Sequence, residues 1–134
     1  MAKRAITLTG RAPVTIDEDN WDLIASAKDE DHDGQVRSQA NRASKWFIGV
    51  RQHEDGRTIV YATYCYSSNW QNARNYAAKD GVILPTDCTD DDIAKAIQNV
   101  CQWISASEHH EGDESRWKAL AAECIADLPA EVLD

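Results

Sequence analysis

Proline and glycine are scarce, three and six residues of 134, and the chain carries one Met and one Phe. It has no low-complexity tract and no internal repeat. No stretch approaches the roughly 20 consecutive apolar residues that a membrane-spanning helix needs. The opening "MAKRAITLTGRAPVTI" has a basic start but alternates instead of running apolar, so it lacks a signal-peptide core. Cytoplasm is the expected compartment, with no membrane partner. The four cysteines, Cys65, Cys88, Cys101 and Cys124, form no C-x-x-C pair and no zinc spacing. Cationic residues are outnumbered, 14 Lys and Arg against 23 Asp and Glu, for a net charge of −9 and an isoelectric point near 4.8. A field of that sign opposes direct binding to duplex DNA. Nucleophile elbows of the G-x-S-x-G type and phosphate-cradling glycine loops are missing too. The expected protein is therefore not an enzyme, and no cofactor is expected.

What the chain does have is five tryptophans, a single-domain length and a strong pattern of elements. "AITLTG" alternates as a short strand, and "PVTI" extends or pairs it. "DEDNWDLIASAKDED" places Trp21, Ile24 and Ala25 on one helical face behind an acidic first turn, which predicts a helix. "SKWFIGVRQHEDGRTIVYATYCY" is two β-rich runs around Asp55-Gly56, the dipeptide of a type I′ hairpin turn. Neither face of that hairpin is plainly polar, which predicts cover on both. "SSNWQNARNYAAKDG" reads as a short helix stopped by Gly81, and "VILP" as a brief buried strand. In "TDCTDDDIAKAIQNVCQWISA", Thr89 caps a helix with Ile93, Ile97, Val100, Cys101 and Ile104 at helical spacing. "SRWKALAAECIADL" is a last helix, ended by Pro129. The expectation is one α+β domain spanning 1–134, a small and mainly antiparallel sheet with a central β-hairpin packed against three to four helices. Residues 29–44 and 105–114 are expected to be mobile loops.

Four constellations are candidates for function. Asp29, Asp31 and Asp33 followed by Gly34 match the opening of an EF-hand calcium loop. The twelfth position, where a bidentate Glu should close the cage, is Ala40, so the stretch is a weak metal candidate. The histidines add little: His109 and His110 are adjacent instead of four apart, and His53 lies near Cys65 only in sequence. Seven of the aromatics fall between residues 46 and 76, interleaved with arginines. Arg51, Arg57, Tyr64, Tyr66 and Arg74 could stack and clamp a nucleotide or another small ligand, or half of the rings could simply form the core. Finally, residues 80–134 hold thirteen acids against three bases. Asp87, Asp90, Asp91 and Asp92 gather at one helix start, and Glu108, Glu111, Asp113 and Glu114 at the far end of that helix. Such carboxylates either cap and solubilise or imitate a phosphate backbone and dock on a basic protein surface.

Three stretches, "APVTIDEDNWDLIASA", "VRQHEDGRTIVYATY" and "ECIADLPAEVL", resemble small, largely uncharacterised accessory proteins of bacteriophages and plasmids. The resemblance covers most of the chain, contains no catalytic motif and transfers no site residue. It implies a role in mobile-element biology. Joined to the acidic surface, it suggests a counter-defence protein that contacts a host protein, such as an inhibitor of a defence nuclease. A ligand-sequestering module built on residues 46–76 is the alternative.

Overall fold

The computed structural model describes residues 2–32, 42–68, 76–107 and 113–130. In chain order the elements are β1 (Lys3–Ile6), β2 (Val14–Asp17), β3 (Trp21–His32), β4 (Arg42–His53), β5 (Thr58–Ser68), β6 (Tyr76–Leu84), α1 (Asp90–Ser105) and α2 (Glu114–Ala126). Strands β3 to β6 form one antiparallel meander in sequence order, and β1 pairs with β2 as a separate two-stranded sheet.

Alternation along the meander builds two cores. Trp46, Ile48 and Val50 on β4, with Val60, Ala62 and Tyr64 on β5, pack against Ile93, Ile97, Val100 and Ile104 of α1 and Trp117 and Leu120 of α2. The residues between them face the other way. Ile59 and Tyr61 meet Ile6, Leu8, Ile16 and Trp21 from the N-terminal part of the chain, with Phe47 packed beside them. Both faces of the central hairpin are covered, one by helices and one by the small sheet, which is why neither face reads as polar.

Among the described residues there are two helices, not three to four. The stretch expected as a first helix is β3, paired with β4 from Trp21↔His53 to His32↔Ala43. A bulge between Leu23 and Ala25 shifts the phase, so Trp21 faces the small sheet while Ala25 and Ala27 face the helices. The phase shift mimics helical spacing in the sequence, and eleven paired residues override that local pattern. Asp17, at the start of that stretch, accepts from the Asp19 amide at 3.0 Å in the turn between β2 and β3. Of the helix expected over 67–81, residues 67–68 close β5, 76–81 belong to β6, and 69–75 lie outside the described residues. Gly81 is not a helix stop. A Cβ there would meet the Thr7 carbonyl at 2.7 Å and the Val60 carbonyl at 3.1 Å, so the glycine permits a close backbone approach. Of the loop expected over 29–44, residues 29–32 and 42–44 are strand and 33–41 are not described.

The central hairpin forms as expected, with a different turn. The Gly56 amide donates to the His53 carbonyl at 2.9 Å, and the His53 amide donates to the Arg57 carbonyl at 2.9 Å. Gly56 has φ +97° while Asp55 does not enter the positive region. This is a three-residue loop with a left-handed glycine, not a type I′ pair.

Each open edge of the meander is held by a distant segment. On β6, the Thr9 amide donates to the Gly81 carbonyl at 2.8 Å, and the Gly81 amide donates to Thr9 Oγ1 at 3.1 Å. On β3, the Ser26 amide donates to Asp127 Oδ2, just past α2, at 3.0 Å. Such cover blunts an edge that would otherwise invite pairing with another chain.

Candidate functional site

The acidic turn that opens like a calcium loop is edge strand instead. Asp29 and Asp31 project to one side of β3 at the two-residue period of a strand, and α2 lies on that side. Arg116 Nη1 reaches Asp29 Oδ2 at 3.0 Å, and Nη2 reaches Asp31 Oδ2 at 4.0 Å. The same guanidinium stacks 4.0 Å from the centroid of Trp46, whose indole N–H donates to Asp113 Oδ2 at 3.2 Å. Asp29, Asp31 and Asp113 thus dock α2 on the sheet. Asp33 lies outside the described residues. Among those described, no group of three or more His, Cys, Asp or Glu is placed to hold a metal ion.

The aromatic–arginine cluster does not line one cavity. Arg51 faces the small sheet, where its Nε donates to Tyr61 Oη at 3.1 Å and Nη1 to the Trp21 carbonyl at 3.0 Å. Its side chain is 11% exposed, and Glu18, which also pairs with Arg4, lies 3.9 Å away. Arg57 sits on the same side, paired with Asp55 at 2.8 Å and placed 5.1 Å from the Trp21 ring. Tyr64 and Tyr66 point to the opposite face, into the helix-side core. Tyr64 stacks at a tilt on Trp46, 5.3 Å between centroids, with its hydroxyl 3.2 Å from Ser44 Oγ. Arg74 lies outside the described residues. Strand alternation itself separates the two arginines from the two tyrosines, and a single ligand between them would have to pass through the sheet.

The acidic residues also divide. Thr89 and Asp92 form a reciprocal cap, in which Thr89 Oγ1 accepts from the Asp92 amide and Asp92 Oδ2 accepts from the Thr89 amide. The backbone hydrogen bond from Thr89 is the main reason that the Asp92 carboxyl is held below its ordinary range. Asp87, Asp90 and Asp91 are exposed, and among the described residues none of them takes part in an ion pair. At the other end, Glu114 pairs with Lys118 at 3.2 Å on the surface of α2. Glu108 and Glu111 lie outside the described residues. The sixteen residues of α1 put about 24 Å between the two ends, so the acids make two separate groups.

Two concavities flank α1. On one side a notch of about 200 Å³ lies between α1 and β6, lined by Val82, Leu84, Cys88, Lys95 and Trp103 together with Asp92. Trp103 is 39% exposed. On the other side a groove of about 740 Å³ runs between α1 and α2. Neither concavity was anticipated from the sequence. The readable signal for the notch is Trp103 itself, a large ring off the apolar stripe of an amphipathic helix. For the groove it is Ala122, Ile125 and Ala126, apolar positions beyond the stripe that faces the core. Burial pushes the Cys101 and Cys124 thiols up to about 12, with the neighbouring Cys124 adding to the effect at Cys101. Thiols so disposed are poor nucleophiles.

No helix among the described residues is long and apolar enough to cross a membrane. Comparison with protein-family models, curated proteins and solved structures yields no match.

Proposed function

We propose that this chain is a cytoplasmic binding protein that acts by protein–protein contact, through the side of α1 that joins the notch to the acidic turn. The observation that carries the reading is an exposed aromatic anchor and a group of exposed carboxylates on the same helix, about 18 Å apart along its axis. Trp103 stands at the notch, and Asp87, Asp90 and Asp91 surround the start of the same helix. An aromatic ring seated by a small apolar recess and rimmed by charge is the arrangement that dominates binding energy in protein interfaces. Carboxylates at a helix start are also favoured by the helix dipole, so the scaffold holds them at little cost. Their sign selects a basic partner surface and speeds encounter with it. Four unpaired cysteines support a reducing compartment.

The target class is a host nuclease whose basic DNA channel attracts the acidic turn, a choice supported by the likeness to mobile-element proteins. The test measures duplex DNA digestion by a panel of defence nucleases with micromolar protein added. At least one enzyme should slow tenfold or more, and Trp103→Ala or Asp87→Lys with Asp91→Lys should restore it. If no enzyme slows, the nuclease target is wrong. If one slows equally with all variants, the contact surface is wrong.

A further inference from the structure

The small sheet's cover of the meander ends at Tyr61 and Phe47, and beyond them the same face of the meander is open. Directly paired residues share a face. One row across the four strands therefore runs Lys28, Phe47, Thr63, Lys79, and the next row sets Lys45 beside Glu30. Lys28, Lys45 and Lys79 are exposed, and among the described residues none of them takes part in an ion pair. Asp29 and Asp31 alternate to the helix side, where Arg116 holds them, so Glu30 is the one acid in these two rows. A chain of net charge −9 thus carries a locally positive patch on one side of its sheet. The acids of α1 lie on the other side, across a layer spacing of about 10 Å. Charges more than about 8 Å apart are largely screened at physiological ionic strength.

A second observation is independent of charge. A Cβ at Gly49 would meet Phe47 Cε1 at 2.7 Å and Tyr61 Cζ at 3.1 Å, so the glycine lets the Phe47 ring lie down over its own strand. Tyr61, buried and bonded to Arg51, backs that ring at 5.7 Å between centroids. Phe47 itself stays half-buried, a fixed aromatic surface in the same row as Lys28 and Lys79.

We infer that this open face binds single-stranded nucleic acid, with an unpaired base stacked on Phe47 and phosphates held by Lys28, Lys45 and Lys79. Three strand spacings, about 14 Å in all, separate Lys28 from Lys79, so the lysines reach phosphates on both sides of a stacked base. The aromatic centre favours a nucleic acid over an acidic peptide, which meets the lysines and leaves the ring unused. A duplex keeps its base faces stacked on one another and offers Phe47 nothing. The site goes beyond the protein-contact reading, lies across the sheet from α1 and shares no residue with it.

The inference is tested by fluorescence anisotropy over a series of salt concentrations. The probes are fifteen-nucleotide dT and U single strands, a DNA duplex and an abasic deoxyribose-phosphate strand of the same length, and a fifteen-residue polyglutamate. At low salt the dT or the U strand should bind below about 100 μM, with log affinity falling against log salt at a slope of about −2, or about −0.7 for each of three phosphates. Duplex, abasic strand and polyglutamate should each bind at least about tenfold more weakly. Phe47→Leu should cost about tenfold for the single strands and leave the abasic strand unchanged. Lys45→Gln with Lys79→Gln, at exposed positions that leave both cores intact, should flatten the slope to about −0.7 whether or not Phe47→Leu folds. The inference is overturned if neither single strand reaches that affinity, if the duplex, the abasic strand or polyglutamate binds as tightly, or if the lysine variant keeps the parent's slope.

Discussion

Arg51 separates two ideas about this protein, and a single substitution decides between them. If the residue serves a ligand, removing its guanidinium should leave the fold alone. The structure instead gives it to the join between the meander and the small sheet. Arg51→Met keeps most of the stem and removes the donors to Tyr61 Oη and to the Trp21 carbonyl. A hydrogen bond made by a charged group contributes about 1.5–3 kcal/mol, and a neutral one about 0.5–1.5 kcal/mol. The guanidinium is charged, its acceptors are neutral and the side chain is nearly closed to solvent, so the pair should be worth about 2–4 kcal/mol in total. For a chain of this length that corresponds to a fall of about 6–15 °C in the unfolding midpoint. Thermal unfolding followed by tryptophan fluorescence and circular dichroism measures it. Arg57→Met is the internal control. Its side chain is about half exposed, and its ion pair with Asp55 is a surface one, so the midpoint should move by no more than about 3 °C. If Arg51→Met shifts the midpoint no more than Arg57→Met does, the structural assignment of Arg51 is refuted.

Three further outcomes follow from other parts of the fold. Gly81→Ala drives a methyl into the Thr7 and Val60 carbonyls and should cost about 1–3 kcal/mol in urea unfolding; an unchanged midpoint would mean that the crossing segment yields freely. In native alkylation read by mass spectrometry, the exposed Cys65 should react first, while Cys101 and Cys124, with thiols raised to about 12, should react only with unfolding; early labelling of either would contradict the helix packing. The Asp92 carboxyl is held below its ordinary 3.8 by the Thr89 hydrogen bonds. Its contribution to stability is therefore complete above about pH 4 and fades as the pH falls through the lowered value. Asp92→Asn should flatten that acid limb, and an identical pH profile for parent and variant would rule the cap out as its source.

The legible parts of the fold were those whose local chemistry and tertiary role agree. Thr89 with Asp92 announces α1, and Asp55-Gly56 announces the hairpin, because caps and turns are short-range events. The stretch Trp21–Ala27 misleads because a bulge at Leu23/Ala25 reverses the alternation midway, and a phase reversal in a strand imitates helical spacing. Gly81 misleads for another reason: its need for space comes from Thr7, more than 70 positions away, which no local window contains. The candidate site suffered in the same way. Sequence neighbours such as Arg51 and Tyr64 look like one cluster, yet odd and even strand positions point to opposite sides. The groove residues, drawn from two helices, share no motif at all. Trp103 went unnoticed as well, although it is a ring on the wrong side of its own stripe.

The clasp of Asp127 on Ser26 bears on how the protein must be made. During synthesis β3 emerges early, but the carboxylate that closes its border arrives a hundred residues later. For that interval the nascent chain exposes an unguarded ribbon of amides. The charges along Lys28–Asp31 are then its protection against a neighbouring ribosome's product. A stop codon just ahead of residue 127 would leave the Ser26 amide without that carboxylate permanently.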